Sequence, residues 1–406
     1  MSILHCLLTP SCSKSICLAS IISLILLILK TLPPGNLSLR IDMSLKKKIA
    51  VIGLKGLPAF GGAATVGQSL IEHLTEEFEF TVYSISSHAD RQFDPHGYQQ
   101  FIFDSFPIRK LNVFYYYFMS AIHAVFFRKY DVVHLHHIDG AFILPLLRRK
   151  YPVIVTSHAR PQESEKWGLL ARTLFNRNEK TVMRRASIFT VVSLKLRDYY
   201  KETYNREVYY IPNGVSIQNN GPVNKSSHHK DLVFAAGRII PLKGCHTMLM
   251  ALNKLNYPGP VKIIGNIDQM PSYKKELQDL AKDLDVQFMG LIREKTRLLE
   301  IIREAKFFIF PSYNENMSIM LLEAASVGTP IVCSDIPENK VIFNDDEVLY
   351  FRSEDHHDLA NKTAWSISNP DLMERKSIKA YKKVLAEFTY EKISLEYQKL
   401  YDTLHR

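Results

Sequence analysis

Cysteine is scarce where a fold would use it. The 406 residues hold five, an odd number, and Cys6, Cys12 and Cys17 crowd the extreme N-terminus. Only Cys245 and Cys333 remain in the body, which excludes a disulfide framework and points to a reducing compartment. Acidic residues are in short supply in one half only. Residues 44–215 carry 23 Lys and Arg against 15 Asp and Glu, whereas residues 216–406 carry 25 against 25. Most of the net charge of +10 therefore belongs to the first half, a balance suited to an anionic surface or acceptor. Zinc-finger spacing, RNA-binding aromatic signatures and basic helices are missing, so nucleic acid is not expected as a partner. The apolar run "SICLASIISLILLIL" (Ser15 to Leu29) is short for a span that needs about twenty residues. No small-x-small cleavage site follows it, which leaves a membrane anchor or a natural start at Met43.

What is present reads as two globular domains. A chain of 406 residues is too long for one core, and 46% hydrophobic with 23% charged residues is ordinary globular composition. From Lys46, strand and helix alternate: "KKIAVIGL", "GGAATVGQSLIEHLTEEF", "EFTVYSIS", helical "YYYFMSAIHAVFFRKY", "DVVHLHH", helical "AFILPLLRRK", "PVIVTSH", helical "RNEKTVMRRAS", "IFTVVS", helical "LKLRDYYKETY" and "VYYIPNGV". The polar stretch "SIQNNGPVNKSSHHKD" reads as a linker, after which the alternation restarts at "LVFAAGRI". Such repetition predicts α/β architecture, with two Rossmann-like, doubly wound parallel sheets whose carboxyl edges face one cleft. The expected boundaries are 1–43 for the apolar segment, 44–215 and 216–385 for the domains, and 386–406 for a closing helix packed back on the first domain.

Several short stretches carry candidate chemistry. "PSYNENMSIMLLEAASVGTPIV" places Glu315 and Glu323 eight residues apart, and a helix starting near Asn316 points both at one pocket. Spacing alone also fits a dipole-favoured glutamate followed by a solvated one. "GLPAFGG" sets Gly61 and Gly62 between the first strand and the first helix, where backbone N–H groups can approach an anion, although the stretch lacks the G-x-G-x-x-G dinucleotide pattern and a plain tight turn fits as well. "GRIIPLKG" holds Arg238 and Lys243 at the matching place in the second half, suited to a diphosphate or to simple solvation. His158 in "TSHARP" ends a strand facing the cleft. His134, His136 and His137 have no carboxylate or cysteine at ligand spacing, and Asp283 and Asp285 follow no apolar strand, so no metal is expected.

Together these stretches resemble the family 4 retaining glycosyltransferases of the GT-B fold, from about Lys46 onward. Glu315, Glu323 and "AASVGTPIVCSD" look like the family's E-x7-E element, "YIPNGV" like its interdomain junction, and "SHARPQESEKWGLLARTL" like surface-polysaccharide members. The resemblance implies that Glu323 holds the nucleotide ribose, Glu315 faces the transferred sugar, and Arg238 with Lys243 binds the diphosphate. His158 and the Gly61–Gly62 loop would close the site from the first domain. It further implies a nucleotide-sugar donor as substrate with no cofactor and a lipid-linked or glycan acceptor, while the basic first half and the apolar N-terminus suggest a cytoplasmic protein peripheral to or anchored in an anionic membrane. Ala63, Ala64, Asn316 and Met317 depart from the family pattern and leave the donor sugar open. The competing readings are another GT-B sugar-nucleotide enzyme and a non-catalytic glycan-assembly protein on the same scaffold.

Overall fold

The computed structural model describes residues 46–59, 61–105, 108, 111–163, 168–217 and 231–405. The N-terminal apolar run and most of the expected linker lie outside these residues. The first sheet has seven parallel strands: β1 (Lys47–Lys55), β2 (Phe78–Ile85), β3 (Gln99–Phe103), β4 (Val132–His136), β5 (Val153–Ser157), β6 (Ile188–Val191) and β7 (Tyr209–Tyr210), in the order β3-β2-β1-β4-β5-β6-β7. The second has six: β8 (Leu232–Arg238), β9 (Val261–Asn266), β10 (Val286–Gly290), β11 (Phe307–Phe310), β12 (Ile331–Ser334) and β13 (Leu349–Phe351), in the order β10-β9-β8-β11-β12-β13. Both are doubly wound, with a buried apolar cluster on each face. The central strands are the all-apolar runs expected when helices cover both faces, as in β1 with its six consecutive buried residues.

Three local expectations differ from the structure. The stretch 141–150 is not one helix: a 3-10 segment Ile138–Ile143 leads into a single turn Leu144–Leu147, where Pro145 sits in the first turn and supplies no N–H. "VYYIPNGV" is strand only at Tyr209–Tyr210, since Pro212 cannot extend a ladder. The helix after β11 starts at Ile319 rather than near Asn316, because Ser318 caps it by accepting from the Leu321 N–H at 3.3 Å. Strand β3 carries no buried residue and gave no clear period, as befits a sheet edge.

The chain crosses between the two sheets twice. After β7 it passes into the second domain, and after the helix Pro370–Glu387 it returns to the first, where the helix Tyr390–Thr403 lies on β1 and β2. The two crossings pair: the Val215 N–H donates to Phe388 O at 2.8 Å and the Tyr390 N–H to Val215 O at 3.1 Å. Gly214 is required there, because a Cβ would stand 2.9 Å from the Tyr390 ring. A buried ladder fixes the returning helix. His134 Nδ1 lies 2.7 Å from the Tyr401 hydroxyl, and its Nε2 lies 2.7 Å from Thr156 Oγ1.

Candidate active site

The carboxyl ends of β8 and β11 are drawn together by a glycine. Gly244 has φ +67°, and a Cβ on it would come within 2.0 Å of Pro311 O, so no other residue fits between the turn Pro241–Lys243 and the loop after β11. The Tyr313 N–H donates to Leu242 O at 2.9 Å, and the Tyr313 hydroxyl meets Thr247 Oγ1 and, at 2.9 Å, His246 Nε2. Held in this way, Lys243 forms an ion pair with Glu315. Arg238 is exposed at the end of β8, beside the same turn. Of the two cations singled out in the sequence, Lys243 is paired with a carboxylate and Arg238 is open to solvent.

Glu323 lies just over one turn inside the helix Ile319–Ser326 and is 3% exposed. Lys295, at the start of the helix Lys295–Arg303, pairs with its Oε1, while its Oε2 is buried with no partner. Burial pushes the Glu323 carboxyl above its ordinary value, against the pull of the Lys295 ammonium. Sequence spacing gave no hint of Lys295. It belongs to a different helix, and only its place in a first turn marks it.

Across the crevice, Gly61 has φ +113° and caps the helix Gly62–Glu72. An added Cβ on Gly62 would lie 3.5 Å from Ile319 Cδ1, so the first turns of the two helices, each at the positive end of a dipole, lie close together. The Asn213 side chain also bridges the domains, donating to Met317 O at 3.1 Å.

His158 follows β5 and is nearly buried. Its Nε2 lies 3.2 Å from His136 Nδ1, and its ring centroid is 5.0 Å from that of His137. Burial, then the neighbouring imidazoles, hold it well below the usual histidine range, so it is a neutral group at physiological pH. Its contacts are with its own domain, whereas Glu315, Glu323, Arg238 and Lys243 all belong to the other. Among the described residues no group of three His, Cys, Asp or Glu is placed to hold a metal ion.

Two family models match consecutive parts of the chain: "Glycosyltransferase Family 4" over residues 60–219 and "Glycosyl transferases group 1" over residues 216–383. A D-inositol 3-phosphate glycosyltransferase of Xylanimonas cellulosilytica is 30% identical over 118 residues, 28% of each chain. A phosphatidyl-myo-inositol mannosyltransferase of Mycolicibacterium smegmatis is 27% identical over 219 residues, 51% of this chain and 54% of that protein. The alignments thus span between about a quarter and half of these relatives. An alpha-galactosylglucosyldiacylglycerol synthase of Streptococcus pneumoniae is 26% identical over 235 residues, 52% of this chain and 62% of that one. Among solved structures, sucrose-phosphate synthase from Thermosynechococcus elongatus superposes with a TM-score of 0.73 at 19% identity, covering 88% of this chain and 99% of that one. Anabaena HepE in complex with UDP and glucose gives 0.72 at 16%, covering 88% and 100%.

Proposed function

Because this chain belongs to the family 4 glycosyltransferases of the GT-B fold, we propose that it moves a sugar from a nucleotide-sugar donor to a lipid-linked or glycan acceptor, with retention and without a metal. The observation that carries the donor assignment is Glu323. A buried carboxylate with one oxygen unpartnered among the described residues, in the helix whose first turn lies close to Gly62, fits a pair of ribose hydroxyls that would satisfy it. The diphosphate then falls to the helix ends with Arg238 and Lys243. These fixed cations stabilise the charge that grows on a departing diphosphate as the sugar becomes cation-like. Glu315, already paired with Lys243, faces the sugar, and neutral His158 with the Gly61–Gly62 loop lines the opposite wall.

A lipid-borne acceptor accords with the relatives, one of which is named a phosphatidyl-myo-inositol mannosyltransferase and one an alpha-galactosylglucosyldiacylglycerol synthase. It also accords with the first domain's surface, where Phe114, Phe118, Phe126, Phe127, Leu169 and Leu170 are exposed on the basic half of the chain. On this reading the protein works on the cytoplasmic face of a membrane as a peripheral enzyme.

A panel of radiolabelled UDP-, GDP- and dTDP-sugars, incubated with the protein and membranes, tests the proposal. One sugar nucleotide should be consumed, and proton NMR of the product should show the donor's anomeric configuration. Glu323→Ala should lose donor affinity, whereas Glu315→Gln should keep much of it and lose turnover. An inverted linkage overturns retention. Failure to consume any sugar nucleotide favours a non-catalytic assembly role.

A further inference from the structure

The first domain holds a second polar cluster, at the carboxyl ends of β1 and β4. Two residues there have left-handed backbones although neither is glycine: Lys55, φ +71°, and His137, φ +74°. The strands are neighbours, with Ile52 opposite Leu135. They run so close that a Cβ on Gly53 would meet His136 O at 2.0 Å. Backbone conformations of this kind persist only where the surroundings over-determine them, and they gather at binding sites. Here they turn Lys55 and His137 toward Asp139. Lys55 Nζ is 3.5 Å from Asp139 Oδ2, the Tyr117 hydroxyl donates to Oδ1 at 2.9 Å, and Asn178 Nδ2 holds the Asp139 backbone carbonyl at 2.7 Å. Gly140 makes room for the Tyr117 ring, which an added Cβ would approach to 2.3 Å.

The outer side of this cluster is open. The Lys55 and Asp139 side chains are 27% and 22% exposed, and their contact is loose. Beyond Tyr117 the surface turns aromatic: Phe142 stacks on Phe114 with centroids 4.5 Å apart, and Phe114 and Phe118 are about half exposed. On the inner side, His137 leads to His158.

We propose that Lys55, His137 and Asp139 form the acceptor head-group site, and that the head is an uncharged polyol, a sugar or cyclitol, carried on a lipid that lies along Phe114, Phe118 and Phe142. This rests on the transferase reading and deepens it. The charge balance selects the class. Burial, outweighing the pull of Asp139, holds the His137 imidazole neutral. Burial would raise the Asp139 carboxyl, but Lys55, His137 and the Tyr117 hydrogen bond hold it below the usual carboxylate range. One ammonium and one carboxylate sum to zero, so a phosphate dianion would be uncompensated. Hydroxyl groups fit both partners, donating to Oδ2 and accepting from Nζ.

The test uses the full chain with the donor found by the panel, and three acceptor probes: a methyl glycoside, myo-inositol, and vesicles bearing a monoglycosyl diacylglycerol. Asp139→Asn preserves shape and should raise the acceptor KM by about 30-fold, with a much smaller change in kcat and the nucleotide Kd unaltered. Lys55→Met should act alike. Phe114→Ser should raise KM for the vesicle acceptor and spare the soluble ones. Saturation-transfer NMR of the soluble polyols without donor should show binding that Asp139→Asn abolishes. An unmoved acceptor KM, a nucleotide Kd that rises in step, or competition by millimolar inorganic phosphate overturns the assignment. Equal KM changes for soluble and vesicle probes in Phe114→Ser overturn its lipid part. If no sugar nucleotide is consumed, the transferase reading fails, while the NMR measurement still decides whether this cluster binds polyols.

Discussion

Glu323 is a carboxylate held out of water with one oxygen unpartnered among the described residues, and the cation paired with the other, Lys295, is itself 47% exposed. Such a group is a cost to the folded chain until a ligand arrives. The direction of its proton affinity gives the sign. Because the folded-state value is raised, the folded chain binds a proton more tightly than the unfolded one, and stability declines as pH rises from the ordinary carboxylate range through the raised value. Glu323→Gln does not titrate. It should therefore match the wild type in acid and exceed it at neutral pH by about 1–3 kcal/mol, the usual cost of an unsatisfied buried group. Thermal melts at pH 4 and pH 7.5 check this, and a variant less stable than the wild type at pH 7.5 would refute it. Lys243 is the counter-case, since its charge is paired with Glu315 and, on the proposed function, would also meet the donor diphosphate. Lys243→Ala should slow turnover by a factor on the order of a hundred, as expected for loss of a charge-stabilising group. Unchanged kinetics would remove it from the site.

At the scale of elements, the returning helix Tyr390–Thr403 depends on a histidine that must stay neutral. Burial pushes the His134 imidazole down to about 3. The unfolded chain takes up that proton near the ordinary value of 6.5, so the stabilisation is complete above it and drains away as pH falls toward 3. Tyr401→Phe leaves His134 Nδ1 without its partner and should cost about 1–3 kcal/mol at pH 7. Hydrogen exchange should quicken first in residues 390–403, both in this variant and in the wild type on mild acidification. Uniform exchange across the chain would refute the local attachment. Elements of this kind show what a sequence discloses. The buried strands and amphipathic helices were legible because each writes its own period, as in "KKIAVIGL" and "KTRLLEIIREA". Glu315, Glu323, Arg238 and Lys243 could be singled out because motif and strand end coincide, and the structure sets Lys243 against Glu315. Lys295 was not legible, nor was the meeting of Lys55 with Asp139, 84 residues apart. Those pairs exist only through the order in which helices and strands pack, and no linear spacing encodes it. The helix start at Ile319 was misplaced for a smaller reason, a serine cap hidden inside an apolar run.

The whole molecule has an uneven surface. Its basic half exposes Phe126 at 67%, Phe127 at 71% and Leu170 at 88%, beside Arg128 and Lys129. The helix Asn112–Ile122 has two faces, burying Tyr116 and Tyr117 while presenting Phe114 and Phe118 outward. Arg109 and Lys110, which add to the charge of this half, lie outside the described residues. Each basic side chain near an anionic leaflet is worth about 1 kcal/mol. Protein lacking residues 1–42 should therefore sediment with anionic liposomes at low ionic strength, leave them at high salt, and bind less when Phe126 and Phe127 are both serine. If it stays in the supernatant even at low salt, this face is not the attachment.

The double crossing also has a meaning in time. One face of the first sheet packs Ile49, Val51, Phe78 and Phe80 against Ile393, Tyr397, Leu400 and Tyr401. A ribosome releases the early members of that set long before the late ones, and at about 5–20 residues per second the gap is on the order of tens of seconds. Through that interval the second domain can emerge and close its own core, while β1 and β2 wait with one side bare. The half of the protein made first is thus finished last, and a nascent chain of this design offers chaperones an apolar sheet face until translation has passed residue 401.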